Sequence, residues 1–415
     1  MYSWFIQTRR RHGRLLVISL IMVLISCFSR CLHGVGFNDP RGGQYAGAAA
    51  CINCHRDISG SYMHSNHYRT SAVTDHDHLK KLMGSSGDRF YFADSSYIHI
   101  AERGNAFFQS YFVNGKEDIT RKFDIAFGSG EKAQTYGYWK ENQLYQLPLT
   151  YFTSGKTWAN SPGFPASHAR FGRVIESRCF ECHASYIDKE LEQTGTLAVS
   201  ENLDKSSIIY GIDCERCHGP ALQHVKFQQE NPSVKTAKYI VPIRSLSRQR
   251  QLDVCGVCHA GNDQSTQRSV FGFLPGDTLS NFYYPDFGMG NGEPDVHGKQ
   301  LQLLETSKCF IKSGMTCTTC HDVHEPEGNK MGVFQEGNKM AVFVSKCMDC
   351  HQQSVHAATV IKENEQRKRD FNLVDLNCID CHMPLQTSKT IYFDNGGGLK
   401  NISYMLRTHK IAIYK

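Results

Sequence analysis

The stretch that decides the fold is CERCHGPALQHV, residues 214–225. On one helical turn the positions i, i+3 and i+4 share a face, so Cys214, Cys217 and His218 point the same way. Two thiols on that face can each add to a vinyl group of one haem. The adjacent imidazole then lies under the iron as its proximal ligand. A single copy leaves a zinc site or a redox dithiol open. Working outward, the pattern recurs at Cys51, Cys54 and His55, at Cys179, Cys182 and His183, and at Cys255, Cys258 and His259. It returns at Cys317, Cys320 and His321, at Cys347, Cys350 and His351, and at Cys378, Cys381 and His382. Every C-x-x-C in the chain is followed by histidine, which a zinc ribbon does not require. The sequence therefore predicts seven covalently bound haem c groups, with these seven histidines as proximal iron ligands.

Fourteen of the 17 cysteines are used in this way, leaving Cys27, Cys31 and Cys309. A disulfide framework is not indicated. The 415 residues would fill two or three ordinary domains. Seven porphyrins, however, supply large apolar faces, and a hydrophobic content of 40% suits a core partly made of cofactor. Of the net charge of +6, four positive charges are Arg9, Arg10, Arg11 and Arg14. They precede LLVISLIMVLISCF, Leu15 to Phe28, an uncharged run too short for a membrane span and of the right length for a secretory leader. A signal peptide is expected over residues 1–30. Ser26-Cys27 resembles a lipoprotein box, which would end the leader at 26 and place a lipid on Cys27. Cleavage a few residues later and an uncleaved anchor are the alternatives. Without those arginines little net charge remains, so a nucleic-acid-binding surface is not expected. The chain is expected outside the cytoplasm, periplasmic or membrane-anchored, where covalent haem attachment takes place.

The motifs have no fixed period, so the chain is not a solenoid. Residues 44–87 form a first haem segment, 88–165 a β-rich insertion, and 166–415 a six-haem segment. Within the insertion, RFYFADSSYIHIAERG and AFFQSYFVNGKEDI alternate aromatic or branched residues with polar ones, and Asn114-Gly115 is a hairpin turn signal. The glycine- and aromatic-rich residues 261–300 read as an ordered loop wrapping the haems. Residues 299–313 have helical spacing, with Cys309 as a small buried apolar residue. GNKMGVFQ at 328 is nearly repeated as GNKMAVFV at 337, and KENEQRKRD at 362–370 reads as a solvated helix. The fold class that follows is a multihaem cytochrome c, mainly α and irregular around a haem array, with a small antiparallel β insertion.

Each haem iron has a sixth position, and 13 of the 20 histidines remain once the proximal set is removed. The distal candidates are His67, His224, His324, His356 and His409. His224 follows His218 on the same expected helix and cannot easily fold back to its own haem, so it would ligate a neighbour's. His297 and His168 rank below these, and His76 and His78 in TDHDH are expected to be exposed. Methionine is the alternative axial ligand, but Met383 in CHMP lies too close to its own motif and is expected to pack on the ring.

QYAGAAACINCHRDISGSYMHSNHYRTSA, residues 44–72, resembles the opening of multihaem cytochromes c akin to the tetrahaem cytochrome of nitrifiers. CHGPALQHV, SKCFIKSGMTCTTCHDVHEP and CIDCHMP resemble the middle and end of the same group, which belongs to a superfamily with hydroxylamine oxidoreductase and cytochrome c nitrite reductase. The resemblance implies haems in stacked and perpendicular pairs, mostly with two histidine ligands. It supports His67, His224 and His324 as distal ligands and implies electron transfer outside the cytoplasm. Departures limit it: there is no CxxCK motif, and seven motifs stand where hydroxylamine oxidoreductases have eight haems. No catalytic residue is carried over. The expected function is to carry electrons between redox partner proteins, among them membrane-associated donors, with membrane contact through a lipid anchor in the Cys27 case. The alternative is an oxidoreductase acting on a small nitrogen or sulfur compound at one five-coordinate haem, with the Cys51 haem beside the insertion as the suspect.

Overall fold

The structure is a computed structural model that describes residues 39–165, 167–261, 264–284, 293–326, 336–351, 378–394 and 401–414. The leader, His356, the first GNKM copy and residues 362–370 lie outside the described residues.

Strands dominate the region after the first motif. A four-stranded antiparallel meander runs in the order β2 (Arg89–Tyr91), β3 (Tyr97–Arg103), β4 (Ala106–Val113), β5 (Lys116–Lys122). Alternation builds it: Ile98 and Ile100 turn inward while Tyr97 and His99 face outward. Asn114 and Gly115 occupy the two-residue turn between β4 and β5 with φ of 50° and 75°, the left-handed pair that such a hairpin requires. A second sheet is centred on β7 (Ala133–Lys140). One end of β7 pairs with β8 (Gln143–Gln146) and the other with β9 (Leu149–Phe152). β6 (Ile125–Phe127) flanks β7, and β10 (Thr157–Asn160) flanks β9. The two sheets close over Phe90, Ile98, Phe107, Phe123, Tyr136 and Trp158, all buried. Gln109, fully buried on β4, stitches them by accepting from Leu149 N and donating to Leu149 O, at 3.1 and 3.2 Å. Those paired bonds satisfy an amide that would otherwise be costly to bury.

The β region exceeds the expected 88–165. Upstream, β1 (Ser71–Val73) pairs with β6, and downstream β11 (Val174–Ile175) pairs with β8. Both are too short to show a period of two. Two further hairpins lie in the segment expected to be helical and irregular. They are β12 (Ala184–Gln193) with β13 (Val199–Tyr210), and β14 (Leu385–Asp394) with β15 (Asn401–Arg407). β12–β13 leaves the body after Ile187 and becomes an exposed arm, with Leu197 at its tip 98% exposed. The outer half of β12, Asp188 to Gln193, is exposed on both faces, so no alternation marked it, while Leu203 of β13 stays buried. The expectation of a mainly α and irregular fold is thus corrected to a mixture of short helices and antiparallel strands.

The sheets bear directly on the motif-bearing part. Phe127 of β6 meets Phe180, inside the second motif, edge-on at 5.3 Å, and both pack with Leu144 and Ile175. Cys309 is half-buried rather than deeply buried. The second GNKM copy is the start of the helix Glu336–His351, which carries the sixth motif.

Candidate haem-ligand array

The described motifs sit on short helices or at their ends. The second and third lie on Ser177–His183 and Cys214–His218, and the fourth ends Arg248–His259. The sixth ends Glu336–His351 and the seventh is Cys378–His382. The first and fifth turn just past a helix end, and their histidine N–H still donates to the first cysteine's carbonyl: His55 to Cys51 at 2.9 Å and His321 to Cys317 at 3.0 Å. That bond sets both thiols and the imidazole on one face.

Four histidine pairs then come together from distant parts of the chain. His55 faces His224 with ring centroids 6.5 Å apart and planes 18° from parallel. His218 faces His324 at 6.1 Å and 8°, and His321 faces His409 at 6.2 Å and 24°. His259 meets His67 at 6.0 Å with planes 87° apart. Each pair joins a motif histidine to one of the distal candidates. Two metal–imidazole bonds of about 2.0–2.1 Å plus the half-width of each ring, ~1.1 Å, give about 6.3 Å. The four spacings fit one iron held between two imidazoles.

The ring tautomers agree with this. His224 Nδ1 lies 2.8 Å from Lys238 O, His382 Nδ1 2.8 Å from Ala412 O, and His218 Nδ1 3.2 Å from Val241 O. A carbonyl can only accept, so Nδ1 carries the proton and Nε2 presents its lone pair. This is the outer support that metal-bound histidines use. Burial pushes the imidazoles of His183, His218, His259 and His297 below their ordinary pKa, which favours the neutral, ligating form.

Motifs also touch one another. The side chains of Cys51 and Cys214, of Cys182 and Cys258, and of Cys255 and Cys317 are close neighbours. These contacts join motif one to three, two to four and four to five. His321 of the fifth motif lies 5.4 Å from Phe343 on the helix of the sixth, and that helix packs its Val344 and Met348 against Cys378 of the seventh. Among the described residues no three His, Cys, Asp or Glu side chains converge on a point fit for a lone metal ion.

A buried charge network fixes the first and third motifs. Glu215, between the two cysteines of its motif, accepts from Ala46 N, Gly47 N and Ala221 N at 2.9, 2.8 and 2.7 Å. Arg41 bridges Asp39, Asp213 and Glu215 at 2.9, 2.7 and 3.2 Å. Burial opposes the charge on Arg41, but hydrogen bonds to Asp39 and Asp213 outweigh it and hold the guanidinium above its ordinary pKa. Arg216 donates to Val270 O and to Glu181 O, at 2.8 and 3.2 Å, tying the third motif to the second.

Of the distal candidates, His67, His224, His324 and His409 stand opposite motif histidines, and His356 lies outside the described residues. His297, ranked low from sequence, is near enough to His183 to disfavour charge on it, and His259 in turn disfavours charge on His297. Its turn is held by Asp295, which accepts from His297 N at 2.7 Å and from Thr390 N at 3.1 Å. His168 is exposed, as is His78, while His76 is half-buried and bonds Glu102. The first motif, suspected of carrying an open iron, is the one faced by His224.

With this geometry in view, the comparisons are consistent. The family described as cytochrome c554 and c-prime matches residues 156–219, which span the second and third motifs. The dissimilatory sulfite reductase MccA of Wolinella succinogenes is 25% identical over 324 residues, 68% of this chain and 40% of its own. The multiheme cytochrome MtrA of Shewanella baltica is 25% identical over 213 residues, 49% of this chain and 51% of its own. These similarities and the C-x-x-C-H motifs support a multihaem c-type cytochrome. The chain spans about half the length, or less, of the curated relatives it matches, and no solved structure matches it. Among its described residues no helix is long and apolar enough to cross a membrane.

Proposed function

We propose that this is an extracytoplasmic heptahaem cytochrome that carries electrons between redox partner proteins through haems with mostly two histidine ligands. The observation that supports it most is the set of four imidazole pairs at 6.0–6.5 Å. Haem c supplies reversible one-electron exchange at iron. The chain's part is to hold the metal positions rigidly and close together. Backbone carbonyls at Nδ1 fix the rings, so little reorganises when charge changes. Histidine on both sides would leave no position for a substrate and would keep potentials below those of His/Met ligation. The closeness of cysteines in motifs one and three, two and four, and four and five would bring the haems attached there near one another. Export and a lipid on Cys27 remain part of this reading, as does membership of the hydroxylamine oxidoreductase and nitrite reductase superfamily.

A second reading is favoured by one observation, the similarity to a sulfite reductase over 68% of this chain. In it, one haem is five-coordinate and reduces or oxidises a small sulfur or nitrogen compound. A haemochrome assay with a carbon monoxide difference spectrum separates the two. The carrier reading expects seven haems per chain and almost no response to carbon monoxide. A response equal to one whole haem or more would favour the enzyme.

A further inference from the structure

The array has an exposed end at its first motif. Cys54 and His55 are exposed, Ile52 and Ile58 of the same stretch are 38% and 46% exposed, and Tyr239, edge-on to Phe227, is 62% exposed. Residues 222–247 form the outer wall of this end. They provide His224, opposite His55, and the carbonyls of Lys238 and Val241 that hold His224 and His218. Leu222, Val225 and Ile240 of the same segment pack on Ala46 and Ala50, next to the first motif. Four exposed cations stand on this wall, Lys226, Lys235, Lys238 and Arg244, against one exposed anion, Glu230. None of the four forms an ion pair among the described residues. Arg248 and Arg250, which follow, are half-buried and engaged with Phe310 and Asp253. The wall therefore presents uncompensated positive charge around a small apolar centre, next to a motif that is open to solvent.

We infer that this cationic rim is the docking site for an acidic electron-transfer protein, and the inference rests on the carrier reading above. A rim of one sign steers an oppositely charged partner and sets its orientation, and a small apolar centre lets the complex part again after one transfer. Proximity to the first motif favours a redox protein over an anionic lipid surface, because binding lipid gains nothing from a haem edge. The step is simple: one electron leaves the partner's reduced centre, which is oxidised, and reduces one haem iron from Fe(III) to Fe(II). No bond or proton need move.

The test uses the haem-loaded full chain and reduced plant-type ferredoxin, an acidic protein of low potential, as the probe donor. The rim variant carries Lys226→Glu, Lys235→Glu and Arg244→Glu. A control reverses three exposed lysines of the β region, Lys81, Lys116 and Lys140. The expected result is a second-order reduction rate at least 10-fold lower for the rim variant at low ionic strength, with the gap closing in high salt. The control should match the unaltered protein, and reduction by dithionite and the visible spectrum should be the same in all three. Equal ferredoxin rates in the rim variant and the unaltered chain would overturn the docking site while dithionite reduction leaves the carrier reading standing. Loss of binding to phosphatidylglycerol vesicles, or loss of self-association, with the ferredoxin rate unchanged would also overturn it and assign the rim to a membrane or a second copy. A chain that dithionite cannot reduce would remove the carrier reading and the docking site together.

Discussion

The β region and the motif-bearing remainder are held together by different means. From Leu79 to Phe171 a continuous aromatic and aliphatic cluster is buried between two sheets, and nothing but packing is needed to explain it. In the remainder the apolar clusters are small, such as Ala46, Ala50 and Ala221, or Leu252, Ala260, Leu301, Leu304 and Phe310. Order there comes from histidine pairs, neighbouring cysteines and the Arg41 network. The lesson is that one part carries its own core and the other is completed by its cofactors.

The strongest way to break this contrast is to withhold haem. A chain made where cytochromes c cannot mature should lose hydrogen-exchange protection throughout the motif helices while Ile98, Phe107, Phe123 and Tyr136 amides stay slow. Uniform protection in both parts would end the contrast. Next in size is Phe123→Ala. Phe123 is 1% exposed and meets Tyr136 edge-on at 4.9 Å, so truncation should cost about 3–5 kcal/mol in the β region without altering the haem spectrum. Arg41→Ala tests the other part by the same readouts. It strands three buried carboxylates and should destabilise the first and third motifs by about 3–5 kcal/mol, with a spectral change that Phe123→Ala lacks. The smallest effect belongs to Gly115→Ala, where a φ of 75° costs a side chain about 1–2 kcal/mol, read as a lower melting temperature of the β region alone.

The two parts were also unequally legible. Alternation and Asn114-Gly115 announced β3, β4 and β5 because such signals are local. The motifs announced their own helical turns for the same reason. Which histidine stands opposite which motif was not legible: His67 reaches the fourth motif and His409 the fifth through the whole fold. His297 was ranked low because its placement depends on Asp295 holding the β14 strand. Arg41, in the plain-looking stretch RGGQ, shows its role only when Asp213 and Glu215 are brought to it. The β12–β13 arm escaped notice because the outer part of β12 is exposed on both faces and has no hydrophobic period.

The proposal that paired imidazoles clamp each iron is tested most directly by removing one partner. His224→Ala should leave the motif cysteines and the haem count unchanged and open one position, opposite His55. Carbon monoxide should then produce a difference spectrum equal to about one haem of the seven, where the unaltered protein gives almost none. A variant whose carbon monoxide spectrum is indistinguishable from that of the unaltered chain would contradict the account.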